Sequence, residues 1–103
     1  MLQRQRSAQD HGYPAPAVYS GPEAYKELCL RDDIDLVYVC TDWAHHVPVA
    51  LCAMEHGKHV AVEVPSANSL KECWDLVNTS ERTRRHCVIL ENCCYDFFEM
   101  MAM

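Results

Sequence analysis

Three short runs rich in β-branched residues alternate with segments of helical periodicity, and this alternation is the feature that most constrains the fold. The runs "IDLVYVC", "KHVAVE" and "CVILE" predict strands over 35–40, 58–63 and 87–91. Helices are predicted around them over 22–31, 47–56, 68–85 and 95–103. This order is typical of βαβ units, whose strands are parallel and joined by crossover connections. Because the strands are almost continuously apolar, we expect an α/β fold with its sheet covered on both faces.

Local signals mark the ends of the predicted helices. Ser20-x-x-Glu23 and Ser69-x-x-Glu72 each have the form of a capping box. The helix over 68–85 carries an apolar stripe formed by Leu70, Cys73, Trp74 and Val77. Gly57 is a normal stop for the helix before it. The loop-rich stretch "HGYPAPAVYSGP" brackets a short predicted edge strand at 17–19.

Charge and hydropathy exclude several classes of function. The 103 residues carry a net charge of −6, with 9 basic and 15 acidic side chains. The densest basic group, Arg82, Arg84 and Arg85, lies at the end of a predicted helix, where cations complement the helix dipole. Nucleic acid is therefore not a predicted partner. No apolar run approaches the ~20 residues that cross a bilayer, so no membrane partner is predicted either.

The cysteine pattern favours reduced thiols. The chain has seven cysteines, an odd number, and no CxxC pair that would indicate a structural zinc site. Cys40, Cys52, Cys73 and Cys87 fall at apolar positions of the predicted elements. We expect these four to act as small core residues.

Polar or unusual residues follow each of the three predicted strands. They are Thr41 to His46 after the first strand, Glu63 to Pro65 after the second, and Glu91 with Asn92 after the third. Ligands of open parallel sheets bind outside the carboxyl ends of the strands. The sequence therefore predicts a ligand site at this edge.

The residues of this edge have both structural and ligand-binding interpretations. His45 and His46 point in divergent directions and have no HxxxH or carboxylate partner at helical spacing, which favours helix capping or ligand contact over a metal site. Trp43, expected in a polar loop, either packs over a flat ligand or enters the core. Pro65, two residues after Glu63, fixes the backbone there. A rigid acceptor suits a ribose hydroxyl or a carboxamide, and the alternative is a carboxylate that is solvated or caps the next helix.

Two longer stretches carry a resemblance to a known family. Residues 33–77, "DIDLVYVCTDWAHHVPVALCAMEHGKHVAVEVPSANSLKECWDLV", resemble the second half of the Rossmann domain of the glucose-fructose oxidoreductase/inositol dehydrogenase superfamily. The shared pattern is a strand ending in Cys-Thr, a helix ending in Gly-Lys-His-Val, and then Glu-Lys-Pro, in which Val64 replaces the lysine. Together with Trp-x-x-His at 43–46, the ending "RHCVILENCCYDFFEM" is similar to the NAD-dependent glycosidases of glycoside hydrolase family 109, described as α-N-acetylgalactosaminidases.

The resemblance implies a fold and a domain organisation. Residues 1–92 would form the C-terminal half of a doubly wound, parallel-sheet Rossmann domain that binds NAD, without its first βαβ unit. Residues 93–103 would begin a C-terminal α/β substrate domain. That domain would supply the sugar pocket and the catalytic groups, so no catalytic or metal-binding residue is expected in this chain.

The resemblance also implies a reaction and its cofactor contacts. The sugar C3 hydroxyl would be oxidised, the glycosidic oxygen eliminated, water added and the hydride returned, a mechanism distinct from that of two-carboxylate glycosidases. The positions that match cofactor-contacting segments are Thr41, Trp43, Ala44, His45, His46, Glu63, Val64 and Asn92. The full-length protein would act on a terminal N-acetylgalactosamine-like glycoside, could form a homo-oligomer, and would be cytoplasmic or exported by a twin-arginine signal.

Departures from the family pattern bear on activity and on the alternatives. The three glycines form no GxGxxG turn for a pyrophosphate, so we expect the 103 residues alone to bind NAD weakly and to hydrolyse no glycoside. Val64 cannot transfer protons, which favours the glycosidase over an NAD(P)-dependent sugar or polyol dehydrogenase. A standalone, non-catalytic α/β binding module is the alternative of another class; an unpaired apolar sheet edge argues against it.

Overall fold

The predicted order of helices and strands is present in the computed structural model, which describes residues 11–103. The elements are α1 (Ala24–Cys29), β1 (Leu36–Val39), α2 (Trp43–Glu55), β2 (His59–Glu63), α3 (Leu70–Thr83), β3 (Cys87–Leu90), a 3₁₀ helix (Asn92–Tyr95) and α4 (Phe97–Ala102). The strands form a parallel sheet in the order β1-β2-β3. The predicted α/β class is confirmed.

The hydrophobic core lies between one face of this sheet and the helices. Val37 pairs with Val60 and Val39 with Val62, and all four side chains are buried. Helix α2 packs on β1 and β2, and α3 packs on α2 and β3. Alternating β-branched residues thus supply the floor of the core, and α2 supplies Met54, its largest fully buried side chain.

The opposite face of the sheet is open in the part of the chain that the structure describes. Leu36, Tyr38 and Val88 are exposed by 57%, 49% and 51%. The expectation of a sheet covered on both faces is therefore wrong for residues 11–103. The reason is topological: two successive crossovers that add strands in the same direction place their helices on the same side.

Helix starts differ from the sequence predictions. Helix α2 begins at Trp43 rather than at residue 47, because its first turn, Trp43 to His46, lies before the apolar run that marks the helix in the sequence. The prediction of a capping box at Ser20 is wrong, because α1 starts at Ala24, after Glu23, and has no side-chain cap. Residues 17–19 form no strand.

The second capping box is present in altered form. Ser69 Oγ accepts a hydrogen bond from the backbone N–H of Glu72 at 3.2 Å, as predicted. The Glu72 carboxylate, however, accepts from the N–H of Asn68 at 2.6 Å rather than from that of Ser69. Ser69 therefore caps α3, and the Glu72 side chain ties the residue before Ser69 to the first turn of the helix.

The apolar stripe of α3 faces outward rather than into the core. Leu70 and Trp74 are exposed by 74% and 59%, whereas Leu76 and Thr79 are the buried residues of this helix. A stripe identifies side chains that favour burial, but the path of the chain over the sheet decides which side of the helix meets the core.

The cysteine predictions are also partly wrong. Cys40 and Cys73 are exposed, and Cys52 and Cys87 are half-buried. The fully buried cysteine is Cys29 at the end of α1. Among residues 11–103, no helix has the length and apolar character needed to cross a bilayer.

Candidate functional site

The carboxyl ends of the three strands lie side by side at one edge of the sheet. The parallel register pairs Val39 of β1 with Val62 of β2, and Glu63 of β2 with Leu90 of β3. The segments that follow the strands therefore emerge together. This is the edge at which the sequence predicts a ligand.

His46 is buried under this edge and joins two of its loops. Its side chain is 1% exposed; Nδ1 lies 2.6 Å from the carbonyl oxygen of Pro65 and Nε2 lies 3.1 Å from that of Thr41. Carbonyl oxygens only accept, so a neutral ring donates to one of them and an imidazolium donates to both. The ring thus links the loop after β1 to the loop after β2, and it does not project from the edge.

His45 points the other way and pairs with a carboxylate. Its Nδ1 lies 2.6 Å from Oδ1 of Asp42, the residue that precedes α2. The expectation that no carboxylate lies at helical spacing from the histidines is wrong, because Asp42, the N-cap residue of α2, is three residues before His45 in its first turn. The hydrogen bond from His45 lowers the pKa of Asp42, against the opposing effect of desolvation.

Trp43 and Ala44 open helix α2 at the same edge. Trp43 belongs to the helix and not to a loop; its indole is 64% exposed, so it is not a core residue within residues 11–103. Its backbone carbonyl accepts a hydrogen bond from Nδ2 of Asn68 at 3.0 Å. Asn68 therefore fixes the first turn of α2 to the loop before α3, a link that the sequence pattern did not reveal.

Glu63 ends β2 and is held by a residue of the neighbouring strand. The Tyr38 hydroxyl donates to Oε1 of Glu63. Tyr38 pairs in register with Ala61, so Glu63 is its diagonal neighbour on the open face of the sheet. Hydrogen bonding to Glu63, followed by that to Cys40, raises the pKa of Tyr38. The two-residue offset between adjacent strands is the signal that could have identified Tyr38.

The remaining predicted residues lie around Glu63 and after β3. Val64 is 39% exposed and is joined to Pro65 by a cis peptide bond. Asn92 is the first residue of the 3₁₀ helix, where Glu91 accepts from the N–H of Cys93 at 2.9 Å. Asn92 is itself exposed, with Oδ1 3.7 Å from Sγ of Cys93. Both segments thus present side chains at the edge.

A cavity of about 260 Å³ continues this edge towards α1. Its walls are formed by Gly21, Pro22, Tyr25, Thr41, Asp42, His45 and Val49. Within residues 11–103, no group of three or more His, Cys, Asp or Glu side chains is arranged to hold a metal ion. The edge therefore presents aromatic rings and polar side chains that can form hydrogen bonds.

Comparison with known proteins identifies the sequence family. Residues 3–91 match the profile of the GFO_IDH_MocA oxidoreductase family, an NAD-binding Rossmann fold. "Glycosyl hydrolase family 109 protein 4" of Phocaeicola vulgatus is 70% identical over 90 residues, which are 87% of this chain and 17% of that protein. The "Alpha-N-acetylgalactosaminidase" of Bacteroides fragilis is 53% identical over 103 residues, all of this chain and 24% of that protein. The chain thus spans a quarter or less of the length of these relatives.

Solved structures show the same fold. A putative oxidoreductase from Bacteroides fragilis is 26% identical with a TM-score of 0.78, over 99% of this chain and 29% of that one. An aldose-aldose oxidoreductase from Caulobacter crescentus is 26% identical with a TM-score of 0.74, over 98% of this chain and 30% of that one. The predicted Rossmann fold, the predicted cofactor NAD and the resemblance to glycoside hydrolase family 109 are confirmed. The chain belongs to the GFO_IDH_MocA oxidoreductase family, whose members share this NAD-binding Rossmann fold.

Proposed function

We propose that this chain forms the nicotinamide side of the NAD site in a glycosidase that acts on terminal N-acetylgalactosamine-like glycosides. The observation that carries the proposal is the 53% identity over all 103 residues to a relative named alpha-N-acetylgalactosaminidase. Val64, at the position of the lysine in Glu-Lys-Pro, supports a glycosidase rather than a dehydrogenase that uses this lysine.

The residues at the sheet edge suit a dinucleotide. The exposed indole of Trp43 offers a flat apolar surface, and Glu63 offers a carboxylate acceptor that Tyr38 holds in place. The side-chain amide of Asn92 can both donate and accept. When bound, NAD supplies a temporary acceptor for the hydride of the sugar C3–H bond.

Each residue of the edge then has a physical role. Glu63 accepts from a ribose hydroxyl or a carboxamide N–H, and Trp43 with Ala44 covers the ligand and excludes water. His46 keeps the Thr41 and Pro65 loops at a fixed separation. His45, paired with Asp42, offers its second ring nitrogen to the ligand.

The proton transfers of the reaction are assigned to other parts of the full-length protein. Val64 lies beside Glu63 and has no group that exchanges protons. Residues 93–103 would begin the substrate domain, and Phe97 and Phe98 of α4, exposed by 64% and 78%, would pack within it. A homo-oligomer of the full-length protein is part of the same proposal.

Tryptophan fluorescence tests the cofactor edge on this chain. The two tryptophans are Trp43 at the edge and Trp74 on the outer side of α3. We expect millimolar NAD⁺ to quench the fluorescence of the Trp74→Phe variant, which retains Trp43, and to leave that of Trp43→Phe unchanged after correction for absorption. Equal responses of the two variants would contradict the assignment of Trp43.

An activity assay tests the reaction itself. The coding sequence on either side of these 103 residues is read, and the protein it encodes is assayed on a chromogenic α-N-acetylgalactosaminide. We expect release of the aglycone without net formation of NADH, because the hydride returns to the sugar in each turnover. Stoichiometric accumulation of NADH would instead indicate a dehydrogenase, and hydrolysis by the 103-residue chain alone would contradict the assignment of the catalytic groups to another domain.

A further inference from the structure

The first turn of helix α2 is held weakly by the helix itself. Asp42 stands at the N-cap position, but its side chain makes no capping bond and pairs with His45 instead. Pro48 lies inside the helix and has no N–H, so the carbonyl of Ala44 lacks the donor that a helix normally supplies four residues later. The turn that carries the candidate cofactor residues therefore depends on contacts from outside the helix.

Two such contacts come from the loop between β2 and α3, residues 64–69. The Nδ1 atom of His46 lies 2.6 Å from the carbonyl oxygen of Pro65. The side-chain amide of Asn68 donates through Nδ2 to the carbonyl oxygen of Trp43 at 3.0 Å. His46 is buried in the core and Asn68 is exposed. The Asn68 contact can therefore be removed with little effect on the core, whereas the His46 contact cannot.

Asn68 is itself held in place by its neighbours. Its backbone N–H donates to Oε2 of Glu72, in the first turn of α3, at 2.6 Å. The preceding residue, Ala67, packs against the hydrophobic core. A group that is already ordered loses little conformational entropy when it makes one more bond. The Asn68 amide is thus a fixed point from which the first turn of α2 can be oriented.

We propose that Asn68 is a positioning residue of the cofactor site, and this inference rests on the function proposed above. Its bond to the Trp43 carbonyl orients the first turn of α2 so that the indole faces the dinucleotide. The indole is 64% exposed, so its direction follows that of the backbone that carries it more than packing against other side chains. Without the bond the turn adopts further orientations, and only a fraction of the molecules presents the indole to the ligand.

The size of the effect follows from that fraction. The apparent dissociation constant equals the intrinsic one divided by the fraction of molecules in the binding orientation. A neutral hydrogen bond favours its bonded arrangement by about fivefold. We therefore expect Asn68→Ala to raise the NAD⁺ concentration that half-quenches the fluorescence of Trp43 by about three- to fivefold.

The test uses the Trp74→Phe background, in which Trp43 is the only tryptophan. Asn68→Ala removes the amide, and Asn68→Asp keeps its shape but carries a carboxylate, which cannot donate when ionised. The control Asn78→Ala removes the same side chain from an exposed position of α3. Each variant is titrated with NAD⁺, and the local motion of its indole is measured by time-resolved fluorescence anisotropy without NAD⁺.

We expect both Asn68 variants to show faster and wider indole motion and weaker binding of NAD⁺, and the control to match the background in both measurements. Thermal unfolding, followed by circular dichroism, should change by less than about 4 °C in all three variants, because each change is at the surface. A purely structural role of Asn68 would instead lower the Tm and leave the half-quenching concentration unchanged.

Three results would overturn the inference, and they separate it from the proposed function. Equal indole motion in the Asn68 variants and the control would show that the bond does not orient the turn. Wider motion with an unchanged half-quenching concentration would show that the orientation does not matter for the ligand. Both results leave the cofactor edge itself standing. Absence of quenching by NAD⁺ in the Trp74→Phe background would contradict the cofactor edge, and the inference about Asn68 would fail with it.

Discussion

Replacing His46 by alanine should weaken the fold by about 3 kcal/mol, because the side chain is both buried and bonded. The ring is 1% exposed and contacts the carbonyl oxygens of Pro65 and Thr41. The variant loses at least one hydrogen bond, worth about 1 kcal/mol, and leaves part-buried carbonyl oxygens without a donor from the ring. It also leaves a cavity; large-to-alanine changes in cores cost about 2–5 kcal/mol. Such a loss is a large fraction of the roughly 5–15 kcal/mol that stabilises a small domain.

Urea unfolding followed by circular dichroism measures this loss, and the adjacent residue supplies a matched control. His45→Ala removes the same side chain from a position that is 48% exposed and should cost less than about 1 kcal/mol. With a slope of about 1 kcal/mol per M for a chain of this size, His46→Ala should move the midpoint down by about 3 M relative to the unchanged chain. Midpoints of the two variants within about 0.5 M of each other would refute the role of His46 as a buried link between loops.

Two further predictions concern titration at the edge. The lowered pKa of Asp42 means that its pairing with His45 stabilises the fold above the ordinary carboxyl pKa of about 3.9 and is lost as the pH falls through the lower, folded value. In His45→Ala, the NMR-measured pKa of Asp42 should rise towards the ordinary value, and an unchanged value would contradict the pairing. The pKa of Tyr38 should fall towards the ordinary value of about 10 in Glu63→Gln, as followed by ultraviolet absorbance, whereas Asp35→Asn should leave it unchanged; equal titrations in the two variants would disprove the hydrogen bond.

The fold could be predicted from the sequence because its strands are marked by local composition. The runs at 35–40, 58–63 and 87–91 contain the observed strands to within one or two residues. Local composition could not predict which faces of the sheet are covered by helices. That depends on whether successive crossovers add their strands in the same direction along the sheet. The outward stripe of α3 and the exposed Tyr38 are consequences of that arrangement rather than of local periodicity.

The meeting of the strand ends that form the candidate site could be predicted, but the contacts of its individual side chains could not. The rule that parallel strands present ligand sites at their carboxyl ends identified the edge from the strand ends alone. His45 and His46 are identical in type and adjacent in sequence, yet one pairs with Asp42 and the other enters the core. That difference depends on where the first turn of α2 begins, two residues before His45. Tyr38 was missed because its partner is on another strand.

The polar groups of the edge are fixed by partners within the chain, and this has a consequence for cofactor binding. Glu63 is held by Tyr38, His45 pairs with Asp42, and Asn68 holds the first turn of α2. Groups fixed before a ligand arrives lose little conformational entropy when it binds. The affinity for NAD should therefore depend less on ordering this edge than on contacts with the pyrophosphate, which glycine-rich turns supply. No GxGxxG occurs in these 103 residues. Adding a βα unit that carries such a turn should raise the affinity for NAD, and NAD⁺ should still quench the fluorescence of Trp43.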